Sequence, residues 1–135
     1  MRIPKQFRTK ASGFKIFRVN GTHVRKHYPD WIGGSHWYAD PKLVPRKEIW
    51  IERMRSTAEE RFLLAHELAE IILMKYLRFG YAKAHAAANV VEQALRKGGC
   101  PREIFERHLA KYWPRAPRWQ RLKGAMALHA AYRGY

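Results

Sequence analysis

The residues best suited to chemistry lie in one apolar stretch, Phe62 to Met74. Its only polar members are His66, Glu67 and Glu70, and apolar side chains fill every other position. A helix that is apolar on all sides is a buried helix. Ionised groups inside such a helix cost several kcal/mol unless they are paired or bound to a metal. On a helix, His66 and Glu70 lie about 40° apart, with Glu67 about 60° beyond Glu70, and this spacing can hold one metal ion.

The next predicted helix, 82 to 97, brings further candidate groups. His85, Asn89 and Glu92 recur at spacings of four and three, within about 60° of one another on an alanine-rich helix. If the chain turns near Gly80, the two helices run antiparallel, and the rise per residue places both polar faces at about the same height.

This geometry predicts a metal site with His66, Glu70 and His85 as ligands. Glu92 or Asn89 would then receive the other ring N–H of His66. Three N and O ligands leave a fourth position open, which is the pattern of catalytic zinc, although Mn²⁺ and Fe²⁺ also accept such ligands.

Glu67 is the candidate general base, because it is next to a ligand and points to one side of the ion. The pattern follows the logic of H-E-x-x-H metallohydrolases with glutamate in place of the second histidine. The alternative is a metal-free hydrogen-bonded network that joins two helices. The remaining histidines are assigned to the surface or to the core: His23, His27, His36, His108 and His129.

The elements that must position these residues indicate an α+β fold. A small antiparallel sheet of about three strands, near the N-terminus, is expected to pack on a helical C-terminal part. We predict a hairpin of 14–19 and 22–25 about Asn20-Gly21, a short extended piece at 36–38 and a strand at 47–54. Capping boxes at Ser56 and Thr57 start the buried helix, which should end near Leu77 or Arg78 with Gly80 as its cap. Two further helices are expected, at 101–113 and 118–131.

Length and composition indicate one domain in a reducing, cytoplasmic setting (the host cytoplasm if the source is viral). The chain has 135 residues, 47% hydrophobic content and a single cysteine, Cys100. No apolar run approaches the roughly 20 residues of a membrane helix, and residues 1–13 lack the apolar segment of a secretory signal. We divide the chain into a basic arm (1–13), a core (14–97) and a basic helical extension (98–135).

The net charge of +16 suggests a second class of function. The basic residues are concentrated in 1–55 and 101–135, and a polyanion would be attracted to these flanks. In 113–121, Arg115, Arg118, Trp119 and Arg121 combine guanidinium groups with an aromatic face, as in nucleic-acid contacts. A solvated loop whose tryptophans dock on the core accounts for this stretch equally well. A phage structural or assembly protein is the third class, and the oligomeric state stays open.

The motifs, taken in order, resemble those of a group of small, mostly uncharacterised prokaryotic and phage proteins that look like zincin-type metallopeptidases. The matching features span about residues 14–95: Asn20-Gly21 with Val24-Arg25, Glu48 to Ile51, His66-Glu67-x-x-Glu70 with Leu73-Met74, and Tyr81-x-x-Ala84-His85-x-x-Ala88-Asn89-x-x-Glu92. The resemblance implies a zincin-like core in which the strand at 49–51 flanks the cleft and the first helix carries ligands and base. Glu70 departs from the usual zincin histidine, and residues 100–135 lie outside the resemblance.

Overall fold

The computed structural model describes residues 3–135 and has an α+β architecture. A small four-stranded sheet in the N-terminal half packs on helices that make up the C-terminal half, as the sequence predicts. The strands are β1 (Lys5–Ala11), β2 (Phe14–Val19), β3 (Gly34–His36) and β4 (Glu48–Glu52). The helices are α1 (Gly21–Arg25), α2 (Thr57–Tyr76), α3 (Tyr81–Arg96), α4 (Pro101–Tyr112) and α5 (Arg118–Gly134).

The sheet differs from the predicted one in strand number and in direction. Its order is β1-β2-β4-β3, and β2 pairs with β4 in parallel, so the sheet is mixed rather than antiparallel and has four strands rather than about three. The expected basic arm at 1–13 is wrong for Lys5–Ala11, because β1 forms the edge of the sheet by pairing antiparallel with β2, while residues 1 and 2 lie outside the described part of the chain. Edge strands are held by backbone hydrogen bonds, and a polar edge strand need not show a hydrophobic pattern.

The predicted hairpin at Asn20-Gly21 is also wrong. Asn20 Oδ1 accepts a hydrogen bond from the His23 backbone N–H at 3.1 Å, so Asn20 caps the short helix α1 instead of making a turn. The hairpin turn lies earlier, at Ser12-Gly13, where both residues have positive φ (53° and 81°). Positive φ at both central residues is what a type I′ turn requires.

Alternation along the strands gives the sheet two covered faces. Ile16, Ile49 and Ile51 face α2 in the main core. Trp50 points the other way, into a smaller cluster with Val19, Val24, Trp31 and Val44. On β3, Gly34 pairs with Ile51 and His36 with Ile49, so both β3 residues share the face that meets α2.

Helix α2 is the buried central helix that the sequence predicts. The Ser56 side chain accepts a hydrogen bond from the Glu59 N–H at 3.2 Å and caps the first turn. From Leu64 to Leu73 every residue is buried. The assignment of Gly80 as the cap of this helix is wrong: α2 ends at Tyr76 with Leu77 as its C-cap, and Gly80 is the N-cap of α3.

The C-terminal segment packs on α2 and on the sheet. Glu60 of α2 is buried and accepts hydrogen bonds from Tyr135 Oη at 2.5 Å, Arg18 Nε at 2.7 Å and the Met54 N–H at 3.2 Å. Burial alone would raise the pKa of Glu60, but these donors outweigh it and lower the pKa. Residues 98–135, predicted as an extension, are thereby tied to the helix that carries the candidate site.

Within residues 3–135, no helix has both the length and the apolar character needed to cross a membrane.

Candidate metal centre

Helices α2 and α3 bring three predicted ligand atoms into contact. Glu70 Oε2 lies 2.8 Å from His66 Nε2 and 2.6 Å from His85 Nδ1, and the two imidazole nitrogens are 3.1 Å apart. His66 and Glu70 are buried, whereas the His85 side chain is 43% exposed. The buried residues belong to one helix face, and His85 reaches them because α3 runs back along α2.

Glu92 takes the outer position beside His66. Its Oε1 lies 3.0 Å from His66 Nδ1, and its Oε2 accepts a hydrogen bond from Arg96 Nε at 2.9 Å. Asn89, the other residue predicted for this position, is exposed on the wall of the neighbouring cleft. Of the two predicted residues, Glu92 is therefore the one that faces the second ring nitrogen of His66.

These contacts favour a positive charge among the three inner atoms. With Glu92 as its partner, neutral His66 carries its proton on Nδ1, and its Nε2 lone pair then faces a carboxylate oxygen and another imidazole. A second proton on His66 resolves this. Burial opposes it, but Glu70 and Glu92 outweigh burial and raise the pKa of His66 to about 10. A divalent metal ion would resolve it equally, and the donor set of two nitrogens and one carboxylate oxygen suits such an ion.

Glu67 lies beside the three atoms rather than among them. Its Oε2 is 3.9 Å from His66 Nε2, and the side chain is almost fully buried. Gly34 of β3 makes room for it, because a Cβ at position 34 would lie 3.1 Å from Glu67 Cγ and 3.2 Å from the Trp50 carbonyl oxygen. Burial, and then the charge of Glu70, raise the pKa of Glu67 well above its ordinary value.

His36 is the site residue that the sequence assigned to the surface or the core. It is fully buried, and its Nε2 lies 2.9 Å from Glu70 Oε1, the carboxylate oxygen that faces away from His66 and His85. His36, Glu67 and Glu70 form a second group whose ligand atoms are close enough to hold an ion. The sequence feature that could have identified His36 is its spacing of two residues from Gly34. In a strand this spacing puts both residues on one face, and the pairing of β3 with β4 turns that face toward α2.

A cleft of about 740 Å³ opens over the centre, between α2, α3 and the segment 27–43. His66, Glu67 and His85 lie on its floor and Tyr81 on its wall. The Tyr81 hydroxyl is 3.3 Å from His85 Nδ1. Burial and the nearby carboxylates, first Glu70, raise the pKa of Tyr81 to about 12, so the phenol keeps its proton at neutral pH.

The cleft is lined by several carboxyl groups although the chain is strongly basic. Its lining includes Asp30, Asp40, Glu67 and Glu92, and none of the described lining residues is lysine or arginine. The cleft is therefore suited to neutral or cationic ligands rather than to polyanions.

The residues predicted for nucleic-acid contact lie away from this cleft. Arg115, Arg118 and Trp119 are exposed. Arg121 instead turns inward, where its Nε lies 3.6 Å from Glu106 Oε1 and its Nη1 donates to the Ala116 carbonyl at 2.5 Å.

Comparisons of the chain with family models, with curated proteins and with solved structures give no match. The case for function therefore depends on the geometry of the site.

Proposed function

We propose that the protein is a metal-dependent hydrolase, and that its substrate is a peptide. The observation that supports this most directly is the meeting of His66 Nε2, Glu70 Oε2 and His85 Nδ1, within 2.6 to 3.1 Å of one another, where His66 and His85 line an open cleft. Structural zinc sites are closed by four protein ligands, whereas catalytic sites have three and keep one position for water or substrate. Three converging ligands beside a cleft follow the catalytic pattern.

Zinc is the proposed ion, and Mn²⁺ and Fe²⁺ are the alternatives. Two imidazoles and one carboxylate are a known zinc ligand set, and the same groups also bind the other two metals. When bound, such an ion lowers the pKa of a coordinated water to about 7 and polarises a carbonyl group. Glu92 holds the proton of His66 on Nδ1, which presents the Nε2 lone pair to the ion.

Glu67 is the proposed general base. A carboxylate with an ordinary pKa is a weak base at neutral pH, and the raised pKa of Glu67 brings it closer to the range in which it can both take and return a proton. It lines the cleft together with His66 and His85, and a water molecule would enter from this cleft. Its carboxylate would take the proton of the attacking water and deliver it to the leaving amine.

Tyr81 is the proposed hydrogen-bond donor to the substrate. Its hydroxyl lies beside His85 on the cleft wall and stays protonated at neutral pH, so it can donate to an oxygen on which negative charge develops. Removal of a donor of this kind typically costs a factor of about 100 or more in turnover.

The charge of the cleft favours a peptide over a nucleic acid as the substrate. Phosphate backbones are bound through lysine and arginine, and the described lining residues include neither. Nucleic-acid binding, the alternative suggested by the charge of +16, would have to use the outer surface near Arg115, Arg118 and Trp119. A zincin-like relationship remains part of this proposal, supported by the H-E-x-x-E order of residues on α2.

The test is peptide hydrolysis by protein purified without an affinity tag. We expect the zinc-loaded protein to produce new fragments from a pooled peptide library, as detected by mass spectrometry, and a chelator to abolish them. Glu67→Gln should bind zinc but produce no fragments. Glu103→Gln, an exposed glutamate of α4, is the matched control and should behave as the wild type.

Two results would contradict the proposal. One is identical fragments from the wild type and from Glu67→Gln, which would indicate a contaminating peptidase. The other is the lack of any cleavage after loading with zinc, manganese or iron.

A further inference from the structure

His36 differs from the other site histidines in the partners of its two ring nitrogens. Its Nε2 faces Glu70 Oε1 at 2.9 Å, while its Nδ1 is buried and has no hydrogen-bond partner among residues 3–135. His66 Nδ1 likewise makes no aligned hydrogen bond among the described residues, but a carboxylate oxygen, Glu92 Oε1, lies 3.0 Å from it, and Glu70 lies beside its Nε2. The two histidines therefore cannot be treated as equivalent ligands.

The partners decide which nitrogen of neutral His36 carries the proton. A proton on Nδ1 would leave a buried N–H without an acceptor and would set the Nε2 lone pair against a carboxylate oxygen. A proton on Nε2 makes a charge-assisted hydrogen bond to Glu70 and leaves only a lone pair unmatched. The proton therefore belongs on Nε2, and a protonated nitrogen has no lone pair for a metal ion.

We propose that His36 is a positioning residue that donates Nε2–H to Oε1 of Glu70 and so presents Oε2 alone to the ion. This inference rests on the metal site of the proposed function. It assigns a role to β3, the short strand that carries His36 across the sheet face to the middle of α2. It also selects between the two groups that could hold an ion, since it makes His36, Glu67 and Glu70 a supporting group rather than a second metal site.

The hydrogen bond acts on Glu70 by restricting its carboxylate. Without a donor at Oε1, the carboxylate can rotate, and the ion must then order it on binding. Partners that orient a metal ligand in this way typically contribute a factor of 10–100 to metal affinity. The effect should appear in the dissociation constant for zinc and leave the number of bound ions unchanged.

The test measures zinc affinity and stoichiometry by chelator competition for four proteins: the wild type, His36→Leu, His36→Gln and His36→Asn. Leucine removes the donor and should weaken zinc binding by about 10–100-fold. The glutamine amide can reach the position of Nε2 and should restore affinity to within a few-fold of the wild type. The shorter asparagine amide occupies the position of Nδ1 and should not restore it.

If His36→Leu fails to fold, the comparison of zinc affinity between His36→Gln and His36→Asn still tests the proposal. Circular dichroism of the metal-free variants separates loss of fold from loss of affinity. Equal zinc affinity in His36→Gln and His36→Asn, or a wild-type affinity in His36→Leu, would overturn the proposal. Two ions in the wild type and one in His36→Leu would overturn it in favour of a two-metal centre.

The same data distinguish this proposal from the proposed function. If the wild type binds no zinc, manganese or iron, the metal site itself is refuted, and the role of His36 falls with it. If the wild type binds one ion and the His36 variants bind it equally well, the metal site stands and only the positioning role is refuted.

Discussion

Zinc affinity should rise steeply with pH, because His66 must lose a proton to bind the ion. In the metal-free protein, Glu70 and Glu92 lie within 3.0 Å of the two ring nitrogens. Burial opposes the charge on the imidazole, but these carboxylates outweigh it and raise the pKa of His66 to about 10. Below that pH the ring is an imidazolium, and the ion has to displace the proton on Nε2.

The size of the effect follows from the shifted pKa. Displacement of one proton makes the apparent association constant rise about tenfold, or about 1.4 kcal/mol, per pH unit. Since neutral pH lies about three units below the pKa of His66, the proton weakens zinc binding there by about 4 kcal/mol. If zinc binding also releases a proton from Glu67, the zinc association constant should rise more steeply with pH.

The assay is competition with a chromophoric chelator of known proton affinity, from about pH 6 to about pH 8. Glu92→Gln is the informative variant, because loss of this carboxylate lowers the pKa of His66. The plot of zinc affinity against pH should therefore level off at a lower pH in this variant than in the wild type. A wild-type zinc affinity that does not change over this range would refute the reasoning, as would identical curves for the two proteins.

Three further predictions concern other parts of the structure. Glu60→Gln should lower the free energy of unfolding by about 3 kcal/mol at neutral pH, because it breaks a buried ion pair. Because the pKa of Glu60 is lowered in the folded protein, its stabilisation is complete above the ordinary carboxyl pKa and is lost as pH falls through the folded pKa. The unfolding free energies of the wild type and Glu60→Gln, from denaturant titrations, should therefore converge at low pH, and a difference that stays constant with pH would contradict this. Gly34→Ala should reduce peptide hydrolysis by displacing Glu67, while Gly80→Ala, which has open space, should not; equal activities would exclude the steric effect. Tyr81→Phe should lower turnover about 100-fold with zinc affinity unchanged, and a parallel loss of zinc would show instead that the hydroxyl supports the ligands.

Helical periodicity was sufficient to predict most of the centre. The buried helix and its Ser56 cap could be predicted because an all-apolar pattern that follows a capping box is typical of a buried helix and of few other structures. A rise of about 1.5 Å per residue was then enough to match His85 with Glu70 and Glu92 with His66 across the helix pair. Both pairs are in contact in the structure, at 2.6 and 3.0 Å.

The sheet was harder to predict because its order depends on contacts distant in sequence. His36 belongs to a strand of three residues in a segment rich in glycine and proline, where no local pattern distinguishes a buried histidine from an exposed one. Its role becomes visible only from the pairing of β3 with β4. Asn20 illustrates a second limit, since the same residue that favours a type I′ turn is also a good helix N-cap.

The central claim is that His66, Glu70 and His85 bind one divalent metal ion, and bound-metal analysis of tag-free protein tests it most directly. We predict one equivalent of zinc, manganese or iron per chain, and its loss in His66→Ala and Glu70→Ala. The control His129→Ala, a histidine remote from the centre, should keep the ion. A wild type without bound metal after loading, or His66→Ala and Glu70→Ala variants that keep a full equivalent, would contradict this claim.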